Sequence, residues 1–314
     1  MDFPGSLNAA VARLVNKERH LRDGAASLTA AYKAGKDSSH VHLGAYLAMR
    51  VPATYAANKR VMTELQTLRP GFAPQSVLDV GAGPGTASWA ALCQWPGISH
   101  VTQIEKLAAF AALASGLNAE SQLPALMTAV IVAGNVLKPE LARKSDLVIA
   151  SYVLAELPMY DISAAAENLW RHADDVLLLI EPGTPAGFAR LRLVREALIK
   201  LGAHVVAPCT HQLVCPVTGS DWCHFKVRVQ RSRAHMHAKN AEVPFEDEAF
   251  SYLVLQRQVT QQSGGRVVAP VAINKVAVTF RLCTAKGFQE VVVASRDKPA
   301  FKRAKKMAWG DLWE

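Results

Sequence analysis

Cys209, Cys215 and Cys223 fall within fifteen residues, in APCTHQLVCPVTGSDWCHF, and Cys283 follows in FRLCTAKGF. The chain has only five cysteines in 314 residues, so three in one window point to shared chemistry. Thiolates are soft anionic donors, and four of them suit either structural zinc or an iron–sulfur cluster. The spacing C-x5-C-x7-C-x59-C fits neither the paired knuckles of zinc ribbons nor the tight runs of bacterial ferredoxins. It assigns the ligands to loops of a folded appendage, two of them stiffened by Pro208 and Pro216. His204, His211 and His224 are near enough in sequence to act as alternate or supporting partners. The competing reading is three small residues in a β-rich core. Chemistry alone leaves zinc and iron–sulfur open. Cys93, in the helix after a glycine loop, reads as a core thiol. A Pro-Cys pair such as Pro208-Cys209 can present a thiolate to a pyrimidine ring, but that role calls for the pair after the fourth strand, where SYVLAELP has no cysteine.

A second constellation is VLDVGAGPGTA. Gly81, Gly83 and Gly85 follow an apolar strand, and glycine lets backbone approach a ligand without a Cβ in the way. The pattern is GxGxG, not GxGxxG. Pro84 removes an N–H that a pyrophosphate cradle would use, a loss that S-adenosylmethionine, which has no phosphates, tolerates. Glu105 ends the second strand about twenty residues on, where a carboxylate accepts hydrogen bonds from ribose hydroxyls. Asn135 closes the third strand and can meet an adenine edge. Asp79 can orient the loop or meet the ligand's amino group. Loop, acidic residue and strand order together favour a methyltransferase-like fold over a dinucleotide enzyme. The remaining alternative is a sheet that kept its loop and lost its ligand. No catalytic residue stands out: Tyr152, Glu156 and Tyr160 lie after the fourth strand, without an NPPY-like run.

These groups need an α/β scaffold. Residues 1–74 read as a helical extension with Pro52 beginning or kinking a helix, closed by Pro70-Gly71 and Pro74. Residues 75–205 alternate strands and helices: strands over 76–80, 100–105, 129–133, 146–151 and 175–180, helices over 86–94, 107–117, 162–172 and 186–201. Continuous apolar strands separated by helices mean a parallel sheet covered on both faces. Residues 206–314 read as a β-rich appendage with strands in HVVAPC, CHFKVRV, KVAVTFRLC and FQEVVVAS. VPFEDEAFSYLVLQR reads as partly helical, and 261–265 as a flexible loop.

Net charge is +9. Lys and Arg outnumber Asp and Glu ten to five in residues 1–74 and sixteen to eight in 226–314, while 75–225 carry nine against thirteen. Basic flanks around an acidic centre point to a polyanion such as RNA. Arg228, Arg231, Arg233, Lys302, Arg303, Lys305 and Lys306 are the candidate phosphate contacts, and Trp222, Trp309 and Trp313 candidate stacking groups. No apolar run reaches the ~18 residues of a membrane span. The N-terminus lacks a signal-peptide core.

RVPATYAANKRVMTEL, SVLDVGAGPGTA, DLVIASYVLAELP, IEPGTPAGF, APCTHQLVCP, DWCHFKVRVQR, FEDEAFSYL and WGDLW together resemble one family, the methyltransferase-like small-subunit ribosomal assembly factors of mitochondria and their bacterial relatives. The resemblance implies a class I S-adenosylmethionine-dependent methyltransferase (Rossmann-like) core. It implies 4Fe–4S ligation by Cys209, Cys215, Cys223 and Cys283, with small-subunit ribosomal RNA and ribosomal proteins as partners, in a monomer. It leaves methyl transfer itself open, because some members resemble methyltransferases without the reaction. The expected compartment is bacterial cytoplasm, or the mitochondrial matrix if the chain is eukaryotic.

Overall fold

A computed structural model describes residues 4–16, 21, 23–24, 26–27, 42–137, 143–259 and 263–313. Most of residues 17–41 of the helical extension, and Gln261-Gln262 of the flexible loop, lie outside these residues. The main sheet takes β1 (Ser76–Val80), β2 (His100–Glu105), β3 (Val130–Ala133), β4 (Ser145–Ser151), β5 (Ala173–Pro182), β6 (His204–Ala207), β7 (Phe225–Gln230) and β8 (Phe245–Gln256). Its order is β3-β2-β1-β4-β5-β8-β6, with β7 also pairing β8. Strands β1 to β5 pair in parallel, and β8 runs antiparallel to β5, β6 and β7. This is the strand order of the class I methyltransferase fold. The order reverses at β1 and β4, which opens a crevice outside their carboxyl ends.

Three expectations change. Strands β6, β7 and β8 belong to the main sheet, so that sheet runs well past residue 205. The segment VPFEDEAFSYLVLQR holds a strand, β8, where partial helix was expected. Its residues Phe250–Gln256 are all buried, because β8 is inserted between β5 and β6 and both faces are covered. Such a run has no alternation to betray a strand. Pro52 does not begin a helix: it stands inside one, Leu43–Leu68, that starts nine residues before it. This helix packs on Thr86–Gln94 and on β7 and β8.

The second sheet holds β9 (Gly265–Val267), β10 (Ala272–Ile273), β11 (Ala277–Thr284), β12 (Gly287–Ala294) and β13 (Leu312–Trp313). Its order is β10-β11-β9-β13, with β12 also pairing β11. It has its own small core, including Val267, Phe280, Leu282 and Val293. Cys283 lies on β11, opposite Arg266 of β9.

EPGTPAGF is a strand-to-helix turn with little spare room. Thr184 caps helix Pro185–Lys200 by accepting the Gly187 N–H at 3.1 Å, and Pro185 takes the first helical turn. A Cβ at Gly187 would lie 2.1 Å from the Pro182 carbonyl oxygen, and one at Gly183 2.7 Å from the backbone of β8. Gly187→Ala is therefore expected to cost about 1–3 kcal/mol in urea denaturation. Gly116→Ala, on an exposed helix face with open space around it, is expected to be neutral or to stabilise by about 0.4–1 kcal/mol.

Candidate cofactor crevice and cysteine-lined cavity

At the carboxyl end of β1, Gly81, Gly83 and Gly85 adopt φ of +69°, +55° and +82°, a left-handed path that L side chains rarely take. Glu105 holds this path. One carboxylate oxygen accepts the Gly83 N–H at 2.7 Å and the other accepts the Leu107 N–H at 2.8 Å. Each oxygen keeps a second lone pair for a ligand hydroxyl. Asp79 is buried and accepts both the N–H and the hydroxyl of Ser88, at 3.0 and 2.7 Å. It thus fixes the helix start behind the loop. Burial pushes its carboxyl up to about 6, against the Ser88 bonds. Asn135 is exposed just past β3 and accepts the Leu137 N–H at 2.9 Å.

Helix Leu43–Leu68 contributes groups that the motifs above do not single out. Tyr46 brings its hydroxyl to 3.8 Å from where a Cβ on Gly83 would sit, and its ring packs on Phe110 at 4.8 Å. Asn58 donates to the Ser151 hydroxyl at 2.8 Å. Arg50 forms a bidentate pair with Glu248 at 3.2 and 3.0 Å, and the Tyr152 hydroxyl donates to the same carboxylate at 3.0 Å. Tyr152 directly follows β4 with φ +63°, a strained value for a tyrosine. A signal for the helix face is present in the residues: Tyr46, Arg50, Thr54 and Asn58 recur every fourth position, which places four polar groups on one side. Nearby, Glu181 at the end of β5 is fully buried. One of its oxygens accepts the Leu154 N–H at 2.9 Å and the other has no protein partner. Burial pushes this carboxyl up to about 8.

All four predicted thiols line one cavity between the two sheets, about 60 Å³ in volume. A water needs only ~10–15 Å³ of such space, so the cavity admits a larger group. Irregular backbone carries the first three thiols, and side chains fix it. Gln212 brackets Val205 by accepting its N–H at 2.8 Å and donating to its carbonyl at 3.0 Å. Arg195 donates to the His211 and Leu213 carbonyls at 2.9 and 2.7 Å. The Ser251 hydroxyl donates to the Cys223 carbonyl at 2.8 Å. Burial raises the Cys209 and Cys223 thiols, and neighbouring thiols add to the shift. Cys283 is pushed up to about 12, again by burial first and then by Cys209 and Cys215. Mutual repulsion among four thiolates is what a bound cationic centre relieves.

Among the described residues, no three His, Cys, Asp or Glu side chains converge closely enough to hold a single metal ion. The four cysteines line the same space. A tetrahedral zinc needs every sulfur about 2.3 Å from one ion. Four cysteine thiolates are the ordinary donor set of a four-iron cluster as well as of structural zinc. Of the nearby histidines, only His211 approaches a cysteine closely, with Nε2 3.9 Å from the Cys283 sulfur. His224 sits between the Trp222 and Trp309 rings, at 5.1 and 4.8 Å. His204 pairs with Gln256 in the main sheet. Cys93 is half-buried in its helix.

The basic candidates divide. Arg231 is committed to Glu246 at 3.1 Å and to the Val243 carbonyl, so it is not available to phosphates as expected. Arg228 pairs with Asp247 at 3.0 Å. Arg233, Lys302, Arg303, Lys305 and Lys306 are exposed. Trp222 donates its indole N–H to the Gly183 carbonyl at 2.9 Å and lines the cysteine cavity. Trp313 packs on Phe280 at 5.0 Å. No helix among the described residues is long and apolar enough to cross a membrane.

The buried carboxyls set a pH dependence. Glu181 and Asp79 hold protons more tightly folded than unfolded, so stability falls as pH rises from the ordinary carboxylate range to about 8 for Glu181 and about 6 for Asp79. Urea denaturation at about pH 5 and about pH 8.5 should show the wild type weaker at the higher pH. Glu181→Gln should flatten that difference.

A family model described as mitochondrial small ribosomal subunit Rsm22 matches residues 40–314. The human ribosome assembly protein METTL17, mitochondrial, is 28% identical over 286 residues, which cover 85% of this chain and 61% of that protein. The Rsm22-cox11 tandem protein 2, mitochondrial, of Schizosaccharomyces pombe is 23% identical across 86% of this chain and 42% of its own length. The chain thus spans less than two thirds of either relative. Among solved structures, magnesium protoporphyrin IX methyltransferase from Synechocystis PCC 6803 with bound SAM aligns at a TM-score of 0.43 and 15% identity, over 66% of this chain and 80% of that one. That score is too low to add to the strand order as an argument about fold. The match over residues 40–314 decides the family: this chain belongs to the mitochondrial small ribosomal subunit Rsm22 family.

Proposed function

We propose that this protein is a methyltransferase-like factor of small ribosomal subunit assembly that binds ribosomal RNA, carries a 4Fe–4S cluster on Cys209, Cys215, Cys223 and Cys283, and takes S-adenosylmethionine in the crevice beside Gly81, Gly83 and Gly85. The observation that carries the cluster reading is that Cys283 joins Cys209, Cys215 and Cys223, some sixty residues earlier, in lining one cavity. When bound, the cluster would tie the cysteine loops to β11. Ribosomal partners are inferred from family membership. In the crevice, Glu105 would take the ribose hydroxyls through its free lone pairs, Asn135 the adenine edge, and Asp79 would keep the loop in place.

A specific observation favours a binding role over methyl transfer. A methyl acceptor would enter beside the end of β4, and there Tyr152 and Arg50 both donate to the Glu248 carboxylate. The Tyr152 phenol is thereby committed to a carboxylate, while Glu181 at the end of β5 keeps one oxygen without a partner among the described residues. The crevice would then keep its cofactor as a structural or sensing ligand. The decisive assay incubates the protein with labelled methyl donor and immature small subunits. Binding without label in the RNA supports the assembly-factor reading; label in the RNA restores the enzyme reading. Anaerobic purification should give a brown protein containing iron and sulfide, and Cys283→Ala should lose both. A colourless protein without RNA affinity would instead indicate a zinc-stabilised small-molecule methyltransferase. RNA affinity should fall steeply with salt. Replacing Lys302 and Lys305 with Ala should lower the slope of log affinity against log salt by about 0.7–0.9 for each phosphate that is no longer neutralised.

A further inference from the structure

Arg195 lines the cysteine cavity and Arg266 lies opposite Cys283 where β9 pairs with β11, both almost wholly buried: Arg195 is 4% exposed and Arg266 2%. Burying a guanidinium is expensive unless an anion accompanies it. Arg266 has one, the carboxylate of Glu64. Among the described residues no carboxylate pairs with Arg195. Its hydrogen bonds go to the carbonyls of His211 and Leu213 in the cysteine loop. Arg266 likewise donates to the Pro208 carbonyl, next to Cys209, at 2.7 Å. Each arginine retains a buried nitrogen without a partner, Nε on Arg195 and one Nη on Arg266. Both act electrostatically on Cys209, and Arg266 also on Cys223. The site thus has more fixed positive charge than its carboxylates balance, and two buried donors without a partner.

We propose that Arg195 and Arg266 are built-in counter-charges for an anionic thiolate-ligated cluster and raise its reduction potential. The proposal rests on the iron–sulfur reading above. Four thiolates bring four negative charges, and a resting four-iron core offsets two of them. One-electron reduction adds a third net negative charge without forming or breaking a bond. Fixed cations close to the sulfurs favour that added electron, since net charge and hydrogen bonds to sulfur set cluster potentials. Glu64 offsets part of the Arg266 charge, so the potential depends on both signs. These are positioning and tuning residues and do not themselves ligate iron.

The test is a dithionite titration of the reconstituted full-length protein under argon, followed by visible absorbance and by electron paramagnetic resonance of the reduced state. Arg195→Gln keeps a donor for the loop carbonyls but removes the charge. It is expected to shift the reduction equilibrium at least about tenfold towards the oxidised form, ~59 mV for one electron. Arg195→Lys should restore most of the difference. Glu64→Gln should shift the midpoint the opposite way, because it exposes the cluster to the full Arg266 charge. This variant decides the matter if Arg195→Gln does not fold. Unchanged midpoints, or shifts of the same sign in Arg195→Gln and Glu64→Gln, would overturn the counter-charge proposal while leaving the cluster in place. A wild-type protein that takes up neither iron nor sulfide would overturn the iron–sulfur reading itself, and the counter-charge proposal with it.

Discussion

Arg266 joins three stretches that are remote in sequence. Its guanidinium meets Glu64 on the long N-terminal helix, the Pro208 carbonyl at the head of the cysteine loop, and the Gly310 carbonyl near the C-terminal end. Tyr252 of β8 donates to the same Glu64 carboxylate at 2.7 Å. A buried ion pair repays its desolvation only when further hydrogen bonds complete it, and here backbone carbonyls and a phenol do so. Removing one partner of such a pair costs about 3–5 kcal/mol, because a charge is left behind. The helix, the main sheet and the second sheet are therefore registered against one another by a single interior cation, which also faces the thiols.

The crevice and the cavity share a wall. Glu181 ends β5 at the crevice edge, and two residues on the Gly183 carbonyl receives the Trp222 indole N–H beside Cys223. The turn between them has no slack, since Cβ atoms at Gly183 and Gly187 would collide with backbone. A displacement at either site has a short covalent route to the other. This gives the EPGTPAGF run a physical role, that of a stiff link between the glycine-loop crevice and the cysteine cavity.

Much of this was legible in the residues. The strands Ser76–Val80 and His100–Glu105 and the helix Ile162–His172 lie where apolar runs and glycine punctuation put them. The cysteines could be grouped because three are adjacent and the chain is poor in the type; only the fold brings Cys283 to them. β8 was not legible, since full burial on both faces erases the alternation that marks a strand. Arg231 could not be told from a free phosphate contact, because its partner Glu246 becomes its neighbour only when β7 pairs with β8. The Tyr152–Glu248–Arg50 set was hidden for the same reason: its members are separated by about a hundred residues each, and no local pattern links them.

Cys283 rides on β11, while its three companions precede it by at least 59 intervening residues. At a synthesis rate of ~5–20 residues per second, those companions leave the ribosome roughly 3–12 s ahead of it. During that interval they are three nascent-chain sulfurs awaiting a fourth, exposed to oxidation and to stray metals. A centre on all four cysteines, as proposed above, can close only after Cys283 has been made, so the wait for it is set by translation speed.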